Sequence, residues 1–168
     1  RCPPSLPPGM RRSGRARPVP HPETLTVEFS WTPEQEALRA RARAIAEDAV
    51  ARHGASNDSW MNGFSREFSR ELAALGWIGM TWPAEFGGAG RPPIERLIVA
   101  EELIAAGAPL AATWFADRQI GPTLIAYGTA DQQATHLPPI LAGEVTWCIG
   151  MSEPGAGSVD ARGDDRRR

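Results

Sequence analysis

The apolar positions of the chain recur with the period of an α-helix from Thr32 onward. Thr32 and Gln35 have the spacing of a capping box, proline occupies the first helical position, and Gly54 marks the predicted end of this helix. Its predicted apolar face consists of Leu38, Ala42, Ile45 and Ala49. A second helix is predicted from the spacing of Phe64, Phe68, Leu72 and Leu75, and it ends at Gly76.

A run rich in glycine and tryptophan follows over residues 77–90. Four glycines and Pro83 in so apolar a run predict an ordered, buried loop rather than a flexible linker. A third helix is predicted after Pro92 and Pro93, through Ile104.

A fourth helix is predicted over about 110–126. It is apolar on most faces, so we expect it to be central, with a kink or interruption at Gly121 and Pro122. Thr129 and Gln132 form a second capping box and open a fifth helix, which the prolines at 138–139 should kink or shorten.

Residues 145–151 are β-branched and aromatic, which is typical of a strand. Helices followed by a strand predict an α domain joined to a β domain, and no internal repeat is visible. The fold class predicted is therefore mainly α, a helical domain followed by the start of a β domain, with disordered ends.

Composition narrows the function classes. Of the 168 residues, 23–158 carry 9 arginines and 17 acids, and so acidic a body disfavours nucleic acid as a partner. The longest uncharged stretch, 103–116, is too short to span a membrane. Two cysteines exclude a disulfide framework and a cysteine-rich zinc site, and no histidine spacing indicates a metal. Without a signal or membrane segment, the cytoplasm is the default location.

Residues 1–22 hold five arginines, seven prolines and no acid. This composition predicts disorder, because few bulky apolar side chains are available to offset the entropy of ordering. A targeting peptide is the functional alternative, but the segment has no apolar core.

The stretch 149–158 leaves the predicted strand and enters a turn with three glycines and two serines. Free backbone N–H groups and hydroxyls suit an electron-rich ring or a phosphate, although a plain strand-to-loop turn explains the same residues. It is not a dinucleotide fingerprint, because Asp160 stands where the third glycine would be.

Three segments resemble the acyl-CoA dehydrogenase family, in family order and at family-like spacing. They are Met151–Ser158 (MSEPGAGS), which looks like the flavin-binding signature; Gly76–Gly88 (GWIGMTWPAEFGG); and Leu137–Glu144 (LPPILAGE). Together the resemblance covers about residues 29–158. It implies an up-and-down helical bundle-like domain at 29–143 and the first strand and turn of the β domain at 144–158, with disordered tails at 1–28 and 159–168.

The resemblance implies FAD as cofactor and α,β-dehydrogenation of an acyl-CoA, with hydride passing to flavin N5, as in fatty acid or lipid metabolism. Ile149 to Ser158 would line the flavin ring: backbone at Met151 and the Ser152 hydroxyl would bind the ring edge, and Gly157 would let the chain pass close by. Ser158 would also meet the acyl-CoA substrate. Donors aimed at the ring edge would stabilise the reduced, anionic flavin. Family members form homo- or hetero-oligomers.

The sequence departs from the family after Ser158. Val159 stands where the family has aspartate, and the family's catalytic glutamate lies on a later helical domain, so no catalytic residue is assigned. A frameshift or truncated gene would explain this, and we expect these 168 residues alone to be inactive. The alternatives are a non-catalytic helical interaction or oligomerisation module and a truncated pseudogene product.

Other candidates have simpler interpretations. Glu101 and Glu102 could tempt a general-base assignment, but a solvated or structurally paired acid is the expected role. Cys148 is expected to be a small buried side chain on the strand. The tryptophans at 77, 82, 114 and 147 are expected to pack, and some could border the acyl or flavin pocket.

Overall fold

The computed structural model describes residues 30–150. Within them the elements are α1 (Pro33–His53), α2 (Arg66–Ala74), a 3₁₀ turn (Ala84–Phe86), α3 (Pro93–Ala106), a π-helix (Ala116–Ile120), α4 (Gly121–Tyr127) and α5 (Ala130–Leu141). The predicted tails at 1–28 and 159–168 lie outside the described residues. No helix in the described part is long and apolar enough to cross a bilayer.

Both capping boxes form as predicted. The Thr32 hydroxyl accepts from the Gln35 backbone N–H at 3.2 Å, and the Gln35 side chain accepts from the Thr32 N–H at 2.9 Å. Thr129 and Gln132 repeat the arrangement at the start of α5. Because each box satisfies two N–H groups that the helix leaves unpaired, these two helix starts are fixed locally by sequence.

The core is built around α1 and α3, which pack along each other. On α1 the residues facing the core are small, and Ala42, Ala46 and Ala49 are completely buried. Small side chains allow close approach of the two helices. The opposing positions of α3, Ile98, Val99 and Leu103, are each at most 3% exposed.

The glycine-rich loop 77–90 is ordered, and its first part is buried as predicted, whereas residues 83–90 are exposed or half-buried. Trp77, Ile78, Met80 and Trp82 are all at most 5% exposed. The loop closes on itself through backbone bonds, among them Arg91 N–H to the Met80 carbonyl at 2.7 Å. Buried backbone polar groups need such partners, so these bonds permit the loop to run through the interior.

The predicted fourth helix differs most from expectation. Residues 111–113 form turns, helix begins at Trp114, and the π-helix occupies the middle before α4 begins at Gly121. Helical residues run without a break from Trp114 to Tyr127, and what falls at Gly121 is the change from π-helix to α-helix. The predicted central position holds for the first half of the segment, where Leu110, Ala112 and Ala116 are at most 4% exposed. In α4 only Gly121 is buried.

Two smaller expectations, for Phe64 and for the strand, also fail, and the shortening of α5 does not occur. Phe64 precedes α2, which is capped by Ser65, and it lies 52% exposed. Helix α5 is not shortened by Pro138 and Pro139 but continues to Leu141. The carbonyls left without a donor belong to Ala134 and Thr135, which are exposed, so water can satisfy them.

The second failed expectation concerns the strand. Residues 144–150 carry no regular structure, and no strand is assigned between residues 30 and 150. A strand needs a neighbour to complete its hydrogen-bond ladder, and the described segments provide none. For the same reason nothing covers Cys148, which is exposed rather than buried.

Candidate functional site

The predicted flavin-binding residues fall at the edge of the described chain. Ile149 is half-buried in the irregular segment that follows α5. Met151, Ser152, Gly157 and Ser158 lie outside the described residues, so their roles stay predictions. Beside this segment the ring of Trp147 packs edge-on against His136, with 5.5 Å between ring centroids.

A cleft of about 40 Å³ lies where α2, the buried loop, α3 and the π-helix meet. Its polar and charged lining consists of Arg96, Thr113, Asp117 and Arg118, with the edge of Trp114. The apolar lining comprises Leu72, Trp77, Ile78, Met80, Val99, Ala100, Leu103 and Leu110. An apolar floor with a few convergent polar groups is the usual make-up of a ligand site.

Asp117 joins the π-helix to the buried loop at two points. Its carboxylate Oδ1 accepts a hydrogen bond from the Gly79 N–H at 2.7 Å, and its main-chain carbonyl accepts from the Trp82 indole N–H at 3.2 Å. Burial raises the pKa of the Asp117 carboxyl, against the opposing effects of the Gly79 bond and the charges of Arg96 and Arg118.

Arg118, the next residue, lies over the indole of Trp114, 4.0 Å from the ring centroid. This is close cation–π geometry. Burial lowers the pKa of Arg118, and the charge of Arg96 lowers it further, while Asp117 opposes the shift. The π-helix thus places two adjacent charged side chains at the same cleft, and short π-helical segments are frequent at functional sites.

Aromatic packing supports the outer wall of the cleft. Trp60 contacts both Trp114 and Phe115, with ring centroids 5.8 and 6.4 Å apart. Trp77 and Trp82 pack in the core as expected, and Trp77 and Trp114 both line the cleft.

The acidic pair in α3 has the structural role that was expected for it. Glu101 is exposed, whereas Glu102 is buried and binds Arg39 and Arg43 of α1. Hydrogen bonds from Arg43 and Arg39 lower the pKa of Glu102. A carboxylate held ionised by two arginines is a poor general base, so this cluster ties α1 to α3.

Two larger grooves lie elsewhere on the described residues. The groove of about 460 Å³ along α5 is lined largely by apolar side chains, and its charged residue is Glu85. The groove of about 400 Å³ beside Glu102 has more acids than arginines. Neither suits an anionic pyrophosphate. Among residues 30–150, no group of three or more histidine, cysteine or acidic side chains could hold a metal.

Asp117 and Arg118 were not singled out from the sequence. The available signal was their position directly after the longest uncharged run of the chain, residues 103–116. Their partners, Gly79 and Arg96, are 38 and 22 positions away, so no local spacing indicates the cleft.

Comparison with known proteins agrees with this architecture. The family described as acyl-CoA dehydrogenase, N-terminal domain, matches residues 32–144. The acyl-CoA dehydrogenase FadE26 of Mycobacterium tuberculosis is 35% identical over 138 residues, covering 79% of this chain and 34% of the relative. The acyl-CoA dehydrogenase IpdE1 of Mycolicibacterium smegmatis is 44% identical over 93 residues, covering 55% of this chain and 24% of that protein.

Solved structures give the same result. The structure titled "Tcur3481-Tcur3483 steroid ACAD" superposes with a TM-score of 0.68 at 34% identity, covering 78% of this chain and 34% of that one. The ChsE4-ChsE5 complex of Mycobacterium tuberculosis superposes with a TM-score of 0.65 at 34% identity, covering 78% of this chain and 33% of the other. The chain spans about a third of the length of these proteins, and it belongs to the acyl-CoA dehydrogenase family, of which it carries the N-terminal helical domain.

Proposed function

We propose that this chain is the N-terminal portion of an FAD-dependent acyl-CoA dehydrogenase, which removes hydrogen from the α and β carbons of an acyl-CoA thioester. The supporting observation is the match of residues 32–144 to the family's N-terminal domain, together with the helices and the buried loop formed over the same residues. We also propose that residues 144–158 begin the β domain that would complete a flavin site.

Within this proposal, the Ser152 hydroxyl and the backbone at Met151 bind the flavin ring edge. Ile149 and Gly157 let the chain line the ring closely, and Ser158 contacts both flavin and the acyl-CoA. No residue of this chain is proposed as the catalytic base, because no acid corresponds to the family's glutamate. These 168 residues alone are therefore expected not to bleach FAD when an acyl-CoA is added.

A chimera provides a direct test. In this chimera, residues 32–158 replace the matching segment of the FadE26 relative. The absorbance of its bound flavin at about 450 nm is followed after addition of an acyl-CoA that the unmodified relative oxidises. We expect the chimera to bind FAD and to bleach. A chimera that is folded by circular dichroism and elutes like its parent, yet leaves the flavin oxidised, would contradict the proposal.

The site residues are tested in the same background. Ser152→Ala should weaken FAD binding about tenfold, which is typical of one lost hydrogen bond to a charged or strongly polarised group. Ser158→Ala should act mainly on KM for the acyl-CoA. Thr146→Ala, an exposed hydroxyl in the preceding segment, serves as the matched control and should change neither quantity.

We further propose that the complete protein assembles with other family subunits. The structural neighbours include one described as a complex of two named proteins, ChsE4 and ChsE5. Multi-angle light scattering of the chimera, alone and mixed with candidate subunits, would show whether a folded monomer persists, which would contradict this part of the proposal.

A further inference from the structure

Two arginines from different elements line the same cleft. Arg96 comes from α3 and Arg118 from the π-helix, and both are half-buried. Among residues 30–150, the ion pairs within 4.0 Å involve other arginines, so neither of these two has a carboxylate partner at that distance. Arg118 is held in place by the Trp114 ring instead.

The acid at this cleft does not neutralise both cations. Asp117 is the acid among the lining residues, and its Oδ1 is already bound to the Gly79 N–H. Two guanidinium groups and one carboxylate leave one positive charge in excess in a partly desolvated space. Holding this excess positive charge away from water costs free energy unless an anion binds in the same cleft.

The lining of the cleft selects among anions. Its volume of about 40 Å³ admits only a small group, since one water requires roughly 10–15 Å³. Phosphate and sulfate carry polar oxygens on every side, whereas a small aliphatic acid is polar at one end only. The apolar floor, which includes Leu72, Val99 and Leu110, would accept the first carbon atoms of an alkyl stem.

We propose that this cleft binds the carboxylate of a small aliphatic acid, with Arg96 and Arg118 as the recognising groups. The planar guanidinium matches a carboxylate with two parallel hydrogen bonds, and Arg118 is preorganised for this by its stacking on Trp114. The inference uses residues of the helical domain only, and it does not rest on the proposed dehydrogenase function.

The test titrates the ¹⁵N-labelled 168-residue chain with sodium propionate, using sodium chloride at equal ionic strength as the reference. The indole N–H signal of Trp114, assigned with Trp114→Phe, reports on the cleft. We expect a saturable shift with propionate, and none with inorganic phosphate at the same concentrations. Arg118→Gln and Arg96→Gln should each weaken propionate binding at least about tenfold, as expected for a lost charge-assisted hydrogen bond.

Arg66→Gln is the matched control, since Arg66 also stacks on an aromatic ring, that of Phe64, but lies away from the cleft. It should bind propionate like the unmodified chain. If Arg118→Gln no longer gives the dispersed amide spectrum of a folded chain, Arg118→Lys is used in its place. Lysine keeps the charge but lacks the two parallel N–H donors of the guanidinium, so this variant should bind propionate several-fold more weakly than the unmodified chain.

The proposal is overturned by a shift that propionate and chloride produce equally, or by saturable binding of phosphate as tight as that of propionate. Equal weakening by Arg66→Gln and Arg118→Gln would overturn it too, since only general electrostatics would then be at work.

Discussion

Substitutions at Asp117 separate the role of its oxygen atom from the role of its charge. Asp117→Asn keeps an acceptor for the Gly79 N–H, which the aspartate binds at 2.7 Å, and removes a charge that burial disfavours. Asp117→Ala removes the acceptor and leaves the buried Gly79 N–H unpaired. An unsatisfied buried donor costs about 1–3 kcal/mol, whereas the asparagine should cost about 1 kcal/mol or less.

The pH dependence has a definite sign. Burial raises the pKa of the folded Asp117 carboxyl above the ordinary value of 3.8, so the folded state binds more protons than the unfolded state in the window above that value. The unmodified chain should therefore lose stability relative to Asp117→Asn as pH rises through that window. Below pH 3.8, where both states hold a neutral carboxylic acid, the difference between the two proteins should be smallest.

Urea denaturation, followed by tryptophan fluorescence, measures these free energies of unfolding. For a chain of this length, 1 kcal/mol corresponds to a shift of about 2–4 °C in Tm, so Asp117→Ala should melt about 2–12 °C lower. Equal stability of Asp117→Ala and Asp117→Asn at pH 7 would contradict this role of Asp117. So would a difference in unfolding free energy between Asp117→Asn and the unmodified chain that grows as pH falls below 3.8.

Three further substitutions test packing elsewhere in the domain. Glu102→Gln should cost about 1–3 kcal/mol of unfolding free energy at pH 7. Because the pKa of Glu102 in the folded state is lowered below 4.5, the stabilisation by its carboxylate should fade as pH falls from 4.5. Urea titrations of the unmodified chain and the variant that show no such loss would contradict this role. The Gln133 side-chain amide caps the end of α4 by donating to three main-chain carbonyls. Gln133→Ala should therefore lower the free energy of unfolding by about 1 kcal/mol, and an unchanged Tm would contradict this capping role. Gly121→Ala should cost about 1–3 kcal/mol of unfolding free energy, because the added Cβ would overlap the Trp82 indole. Gly150→Ala is the control, with open space around the added Cβ, and should have little effect. Equal melting temperatures of these two variants would exclude the overlap.

The parts of the fold that could be predicted are those determined by residues close together in the sequence. The capping boxes at Thr32 and Thr129 act within one helical turn, so they could be located without any tertiary information. The π-helix over Ala116–Ile120 could not be predicted in this way, because no local residue pattern marks it.

The failures concern properties that arise from distant or missing neighbours. The strand at 145–151 has the right composition, but a ladder requires a second strand that the described chain does not contain. Apolar residues of α4 were expected to be central, yet an apolar face becomes buried only where another element covers it. The Arg96–Arg118 cleft joins elements far apart in sequence, so its chemistry becomes visible only after folding.

We propose that this helical domain belongs to an enzyme that desaturates acyl thioesters. The most direct measurement is mass spectrometry of an acyl-CoA after incubation with the FadE26 chimera carrying residues 32–158, with an electron acceptor present. The account predicts a product that has lost two hydrogen atoms, with the new double bond between the α and β carbons. A folded, flavin-loaded chimera that returns the thioester unchanged, while the parent enzyme desaturates it, would contradict the account.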